Sequence, residues 1–354
     1  MYNFCTLFDS NYLSRGLALY DSLSRFCADF HLYIFAFDDV SCDFLKKKNL
    51  KKTTIISLKE FEDPELLKVK PTRNVAEYCW TSTSSVILYV LNNFGVDSCV
   101  YLDADLYFFS SPEAVFDEIG DRSIAITEHR FSPRYKSYEA NGIYNVQFMF
   151  FRKDSDGLAA LNWWRDRCLE WCFETPEDGK FGDQKYLDDW TTRFNNVCVI
   201  QNVGAGAAPW NIEQYDFSTD NGDIYLTDGV LNRKDKLIFY HFHTFKLYKE
   251  GVAKAIGYPL SKNIIERMYK PYLAKLVELG DKVKSEYNDI DPHLLGNLKE
   301  SKGEVEEALK RMSRNDYDGD NYIIFDNKKY SEYNKKIPFI KKIKKIAKKI
   351  LNKR

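Results

Sequence analysis

Two carboxylates stand one residue apart at the end of an apolar run: Asp103 and Asp105 in "CVYLDADLYFF", Cys99 to Phe109. Desolvation raises the cost of charging each of them, and each repels the other unless something positive lies nearby. At positions i and i+2, both point to one side of a continuing strand. A divalent cation would relieve the repulsion, and hard oxygen ligands suit Mg²⁺ or Mn²⁺, ions that keep some waters and take phosphate oxygens. The alternative reading is a pair of turn or N-cap carboxylates. A second apolar run, "LIFYHFHTFK", ends in His241 and His243 with Lys246 close behind, in a chain with five histidines in all. Imidazole is a borderline ligand that suits Mn²⁺-like ions, and Lys supplies a point charge for phosphate. Together the two segments make a candidate metal–diphosphate site.

Such residues need rigid elements behind them. The segments "YNFCTLFD", "FHLYIFAFDD", "TTIISL" and "SCVYLDAD" read as strands, alternating with helices "NYLSRGLALYDSLSRF", "CDFLKKKNL" and "VAEYCWTSTSSVILYVLNNF". This order predicts an α/β fold with a mainly parallel sheet covered by helices on both faces. Ligands of such sheets gather outside the carboxyl ends of the strands, where Asp9, Asp38 and Asp103 fall. Past Gly120 the pattern loosens: "RSIAITEH" and "YNVQFMFFRK" are strands and "GLAALNWWRDRCLEWCF" a helix, followed by short strands and loops up to "LIFYHFH". The expected organisation is one domain over residues 1–275, with a nucleotide-binding half at 1–120 and an acceptor and catalytic half at 121–275. A helical appendage follows at 276–334, then a tail at 335–354.

The chain has 354 residues, 44% of them hydrophobic, enough for a large core, and no run of about 18 apolar residues that would span a bilayer. Its start reads as a strand rather than a secretory signal, so a cytoplasmic location is expected. The eight cysteines are scattered without metal-binding spacing, as suits reduced thiols in apolar segments. The net charge of −1 hides an asymmetry: residues 335–354 hold ten Lys or Arg and no acid, which leaves 41 basic against 52 acidic residues, or −11, in the rest. In that tail Ile340, Ile343, Ala347, Ile350 and Leu351 recur at helical spacing among lysines. The pattern fits a helix lying on an anionic membrane surface, here the inner face of the cell membrane; a solvated basic tail is the alternative. The acidic body argues against nucleic acid as a partner.

In their order, "TLFDSNYLSRGLALYDSL", "YLDADLYFF", "YNVQFMFFR", "FGDQKYL" and "FYHFH" resemble the nucleotide-sugar glycosyltransferases of the GT-A fold, especially family 8, which includes glycogenin and bacterial lipopolysaccharide galactosyltransferases. The resemblance covers roughly residues 1–250. It implies a GT-A, Rossmann-like sheet, a UDP-sugar donor, and Mn²⁺ or Mg²⁺. By position, Asp9, Asn11 and Tyr12 match the family's base and ribose contacts. Asp103 and Asp105 match its metal-binding pair, with Asp103 also reaching the nucleotide. Asn145 matches the donor-sugar contact, with Gln147 where a small residue is usual. Asp183 and Gln184 match the pair beside the reacting carbon. The family's last motif fits His241 to Lys246 imperfectly, with Thr244 in place of Gly, and His241 keeps the better ligand spacing.

The implied reaction is metal-dependent sugar transfer to a glycan or lipid-linked acceptor in bacterial surface polysaccharide synthesis, with retention by family precedent. Inversion would need Asp183 or Glu128 as general base. Trp210 and Asn211, in "GAGAAPWNIEQY", could line an acceptor sugar or anchor a buried loop, and Glu128 and His129 end a strand that could reach the acceptor. Asp9 could simply cap the first helix, and Asp183 the "QKYLDDW" segment. Two rival classes are a sugar nucleotidylyltransferase, whose Gly-rich basic loop after the first strand is missing from "FDSNYLSRG", and a non-catalytic membrane-associated sugar-binding protein.

Overall fold

The computed structural model describes residues 1–255 and 257–333; the basic tail at 335–354 lies outside them. Two compact units divide the chain, the first comprising Met1–His243 and Leu279–Pro292, the second Thr244–Glu278 and the residues from His293 onward.

The first unit opens with β1 (Tyr2–Phe8), α1 (Leu13–Phe26), β2 (Phe30–Ala36), α2 (Asp39–Lys48) and β3 (Thr53–Ser57). Short helices α3 (Leu58–Phe61) and α4 (Pro64–Val69) lead to the long α5 (Val75–Asn93). Then come β4 (Ser98–Leu102), β5 (Leu106–Phe108), α6 (Glu113–Ile119), β6 (Ile124–Glu128), β7 (Tyr144–Arg152) and α7 (Ser155–Glu170). The unit continues through α8 (Trp190–Arg193), β8 (Val197–Val199), β9 (Ala205–Ala207), β10 (Asp216–Asp220), β11 (Asp223–Asp228), β12 (Arg233–Lys236) and β13 (Phe239–His241). A seven-stranded sheet runs in the order β3-β2-β1-β4-β7-β6-β8. Its pairs are parallel except where β7 runs against β4 and β6. The predicted mainly parallel α/β fold is therefore the one observed.

Continuous apolar strands need cover on both faces. One core, with Phe4, Leu19, Phe44, Phe148 and Phe239, lies on one side, and a second, with Cys5, Phe35, Ile87, Met149 and Trp164, on the other. Several helices start where the sequence supplies oxygen acceptors for free N–H groups. Asp38 accepts from Ser41 N at 2.7 Å to cap α2, and Asn74 with Glu77 forms a capping box on α5. A smaller sheet, β5-β13-β9, pairs His241 with Leu106 in antiparallel register.

The second unit holds β14 (Phe245–Tyr248), β15 (Val252–Ala255), α9 (Lys262–Ile264), α10 (Lys270–Glu286) as far as Glu278, α11 (Lys302–Ser313) and β16 (Asn321–Ile324). The strand "NYII" was not expected in a region read as helical. It pairs antiparallel with β15, and Lys254 on that strand is buried between Glu300 and Asp320, 2.6 Å from each.

Candidate active site

The site forms where two chain segments return to the carboxyl end of β4. That strand stops at Leu102, and Asp103 to Leu106 make a turn, with Leu106 N donating to Asp103 O at 3.1 Å. This corrects the expectation of a continuing strand: the carboxylates converge because the backbone turns, and not through strand alternation. The turn is fastened on both sides, Asp103 N donating to Gln147 O (3.0 Å) on β7 and Phe242 N donating to Asp105 O (3.1 Å). The second bond, with the β5–β13 register, carries His241 to the carboxylates.

Nε2 of His241 lies 3.1 Å from Asp105 Oδ1 and 3.8 Å from Asp103 Oδ2, and one ligand atom from each of the three residues falls within 4.8 Å of the others. Two carboxylate oxygens and an imidazole nitrogen fit a hard or borderline divalent cation. Electrostatics point the same way. Burial and the neighbouring Asp105 charge push Asp103 up to about 6, against the opposing pull of His241 and a hydrogen bond from Tyr101 OH (3.0 Å). Asp105 is itself penalised by burial, yet His241, His243 and Arg15 hold it down to about 2. Nδ1 of His241 is buried without a hydrogen-bond partner. His243, the other predicted ligand, is exposed and not among the three converging groups, its ring 5.6 Å from that of His241. Lys246 is an exposed residue of β14 in the second unit.

Behind the triad sits Asp183, 5% exposed. Burial and the charge of Asp103 push its carboxyl up to about 8, partly offset by hydrogen bonds from Thr83 and from backbone amides. Its carbonyl accepts from Trp164 Nε1 at 2.9 Å, which fixes the segment without using the carboxyl. Gln184 next to it donates through Nε2 to Asn141 O at 2.8 Å. Asn145 is held on two sides: its Oδ1 accepts from Gln147 N (2.8 Å), and its Nδ2 meets His129 Nε2 (2.9 Å). Burial pushes His129 down to about 3. The Gln147 side chain is fully buried, both amide atoms without a hydrogen-bond partner, beside Gly206, where any side chain would meet the Arg130 guanidinium.

At the ends of β1 and β2, Asp9 caps a short turn, accepting from Asn11 N (3.0 Å) and Asn11 Nδ2 (3.1 Å). It also lines a cleft of about 320 Å³ shared with Phe37, Asp38, Lys70, Arg73 and Tyr78. Tyr12 lies near enough to Asp105 and Asp103 to feel their charge; burial and Asp105 push its phenol up to about 12. The predicted acceptor residues divide. Glu128 is half-buried at the end of β6. Trp210 and Asn211 are buried and spend their polar groups on the loop: Trp210 Nε1 and Asn211 Nδ2 both donate to His129 O, at 2.8 and 2.9 Å, and Asn211 Oδ1 accepts from Ala208 N.

Several site residues escaped the sequence reading. Arg15 is 4% exposed, its guanidinium 4.4 Å from the centre of the Tyr12 ring, and it is the cation on α1 that helps hold Asp105 ionised. A lone Arg on the apolar face of a helix was the available signal. Thr83 belongs to "TSTSS", Thr81–Ser85, five successive hydroxyls buried in an otherwise apolar helix. Lys70, Arg73 and Tyr78 lie around the start of α5, where only the approach of that helix to β1 brings them beside Asp9.

No family model matches the chain. YfnD of Bacillus subtilis (strain 168), an uncharacterized protein, is 32% identical over 294 residues, covering 81% of this chain and 93% of its own length. YfnF of the same organism, also uncharacterized, is 31% identical over 295 residues, covering 80% and 96%. Among solved structures, the galactosyltransferase LgtC, in complex with donor and acceptor sugar analogs, superposes with a TM-score of 0.50 at 12% identity over 78% of this chain and 95% of its own. At that identity the likeness bears on the fold. The chain thus belongs to the family of YfnD and YfnF and has the GT-A fold of the glycosyltransferases.

Proposed function

We propose that the protein is a metal-dependent glycosyltransferase that moves a sugar from a UDP-sugar to a glycan or lipid-linked acceptor in bacterial surface polysaccharide synthesis, with retention. The observation that carries this reading is the convergence of Asp103, Asp105 and His241 at the ligand edge of the sheet, with Asp183 buried behind them. Mn²⁺ or Mg²⁺ held there would supply charge to stabilise a leaving diphosphate.

This chain's own residues do the rest. Tyr12 presents a ring for the base, and Asp9, Asn11 and the cleft behind them take the nucleoside. Arg15 keeps Asp105 ionised and ready as a ligand. Asn145, fixed by Gln147 N and His129, has one N–H left for a donor-sugar hydroxyl. Asp183 and Gln184 flank the anomeric carbon. The bond from that carbon to the diphosphate oxygen breaks, the acceptor oxygen bonds to the carbon on the same face, and the acceptor proton passes to the departing diphosphate. Residues 335–354 hold the protein at the inner surface of the membrane, where lipid-linked acceptors lie. No helix among the described residues is long and apolar enough to cross a bilayer.

The test is thermal unfolding with UDP, UDP-glucose, UDP-galactose and other nucleotide sugars, each with and without Mn²⁺, followed by donor hydrolysis. A melting temperature raised by a nucleotide sugar only when Mn²⁺ is present is the expected result, because a ligand stabilises the state that binds it. No shift and no turnover with any donor would overturn the reading.

A further inference from the structure

A row of aromatic rings leads from His129 and Asn145 to the surface, and its outermost member, Tyr138, is exposed. The His129 ring, hydrogen-bonded to Asn145, stacks on Phe131 with centroids 4.6 Å apart and an interplanar angle of 8°. Phe131 meets Trp210 at 6.2 Å and Tyr138 at 6.1 Å. Tyr138 lies parallel to Tyr135, 6.0 Å away at 8°. Trp210 packs in turn on His241 at 5.3 Å. Tyr135 is 9% exposed and anchors the loop, whereas Tyr138 is 47% exposed.

The loop that carries Tyr138 is tied down along its length. Ser132 N donates to Trp210 O (3.1 Å), Tyr135 N to Ser132 O (2.8 Å) and Gly142 N to Glu139 O (3.0 Å). Gln184 Nε2 donates to Asn141 O, and Ile143 N to Asp188 Oδ1 (2.8 Å). Tyr138 is thus a pre-positioned ring and not a loose one, and binding to it would cost little ordering entropy. Beside it the Lys136–Glu139 ion pair (2.5 Å) supplies exposed polar groups.

We infer that Phe131 and Tyr138 form an acceptor subsite that takes the apolar face of a hexopyranose, one or more rings away from the reacting centre. The inference rests on the glycosyltransferase reading and names the acceptor side of that site. A single exposed ring with a charged rim suits a sugar, whose C–H face packs on the aromatic while its hydroxyls reach the rim. A lipid chain or a protein partner would need a contiguous apolar patch of several hundred Å². The chemistry therefore favours a saccharide acceptor and places its non-reacting units on Tyr138.

Saturation-transfer NMR tests this on the full chain with methyl α-glucoside, methyl β-galactoside, lactose, cellobiose and N-acetyllactosamine. At least one of these should receive saturation on its ring C–H protons in the parent. That signal should fall at least about threefold in Tyr138→Ala and persist in Tyr138→Phe, because stacking needs the ring and not the hydroxyl. No saturation in the parent, or the same saturation in Tyr138→Ala, would overturn the subsite. The Mn²⁺-dependent thermal shift with UDP, recorded on the same samples, reports separately on the donor reading and on the folding of each variant.

Discussion

The imidazole of His129 and the amide of Asn145 meet with Nε2 and Nδ2 2.9 Å apart, and this contact fixes the state of both side chains. Asn145 Oδ1 is already committed to Gln147 N, so Nδ2 must be the group that faces the ring, and Nε2 must accept. The remaining ring proton sits on Nδ1, which donates to Ile143 O at 3.3 Å. His129 is a positioning residue for Asn145, and it works only while neutral.

His129→Phe keeps a ring to stack on Phe131 but removes the acceptor, leaving an Asn145 N–H buried without a partner. The expected loss is about 1–3 kcal/mol of stability at pH 7.5 by urea unfolding. Because the folded-state pKa of His129 lies at about 3, below its ordinary 6.5, its contribution is fully present above pH 6.5 and is lost as pH falls toward 3. The parent should therefore lose stability relative to His129→Phe over that window, by up to about 1.4 kcal/mol per pH unit. A stability difference that does not change between pH 7.5 and 4.5 would sink the assignment of a neutral His129 in the folded chain.

Asp183 gives the opposite sign. Its carboxyl is held at about 8 in the folded chain against 3.8 for the free group, so between those values the folded state keeps a proton that the unfolded state has lost. Stability from this group falls as pH rises from about 4 to 8. Asp183→Asn, measured in EDTA, should therefore be at least about 1 kcal/mol more stable relative to the parent at pH 8 than at pH 5. The same variant should lose transfer activity by about 10² or more, since an amide replaces the carboxyl proposed to lie beside the anomeric carbon. A stabilised variant with full activity would remove Asp183 from the reaction.

The metal triad separates the two histidines. Titration of Mn²⁺ in the presence of UDP should show His241→Ala weakened by at least about tenfold, and His243→Ala within about threefold of the parent. Equal losses would place both imidazoles on the ion. Asp105→Ala should behave as His241→Ala does, because the two side chains already lie 3.1 Å apart.

The sheet was legible in the sequence because its strands are short apolar runs separated by helices whose faces repeat every three to four residues, and that local code sets the architecture. Asp103, Asp105 and His241 were legible because polar groups at the ends of such runs are conspicuous. What stayed hidden depends on packing between distant segments. Arg15 reaches Asp105 only because α1 lies over β5, and Thr83 reaches Asp183 only because α5 sits beneath the loop after α7. The turn at Asp103–Leu106 was hidden for a related reason: "LDADLYFF" carries strand residues on both sides, and the break follows from β5 leaving the large sheet to pair with β13. Trp210 and Asn211 were open to two readings by type, sugar contact or loop anchor, and their polar atoms close the loop around the His129 carbonyl.

Membrane attachment sets the tail against the body. Residues 1–334 carry −11, so an anionic surface repels them at long range, and attraction has to come from the ten basic residues of 335–354. Each Lys or Arg near such a surface contributes about 1 kcal/mol, enough in sum to outweigh that repulsion at physiological ionic strength. The apolar positions Ile340, Ile343, Ala347, Ile350 and Leu351 add a component that salt does not screen. Co-sedimentation with vesicles containing about one-third phosphatidylglycerol should therefore be strong at low salt, reduced but not abolished at 0.5 M NaCl, and weak with neutral phosphatidylcholine alone. Deleting residues 335–354 should abolish it while leaving hydrolysis of a soluble UDP-sugar within about twofold, because the triad and Asp183 lie wholly within the first unit. Binding that survives the deletion would move the membrane contact onto the body, and its −11 charge would then require a mainly apolar surface.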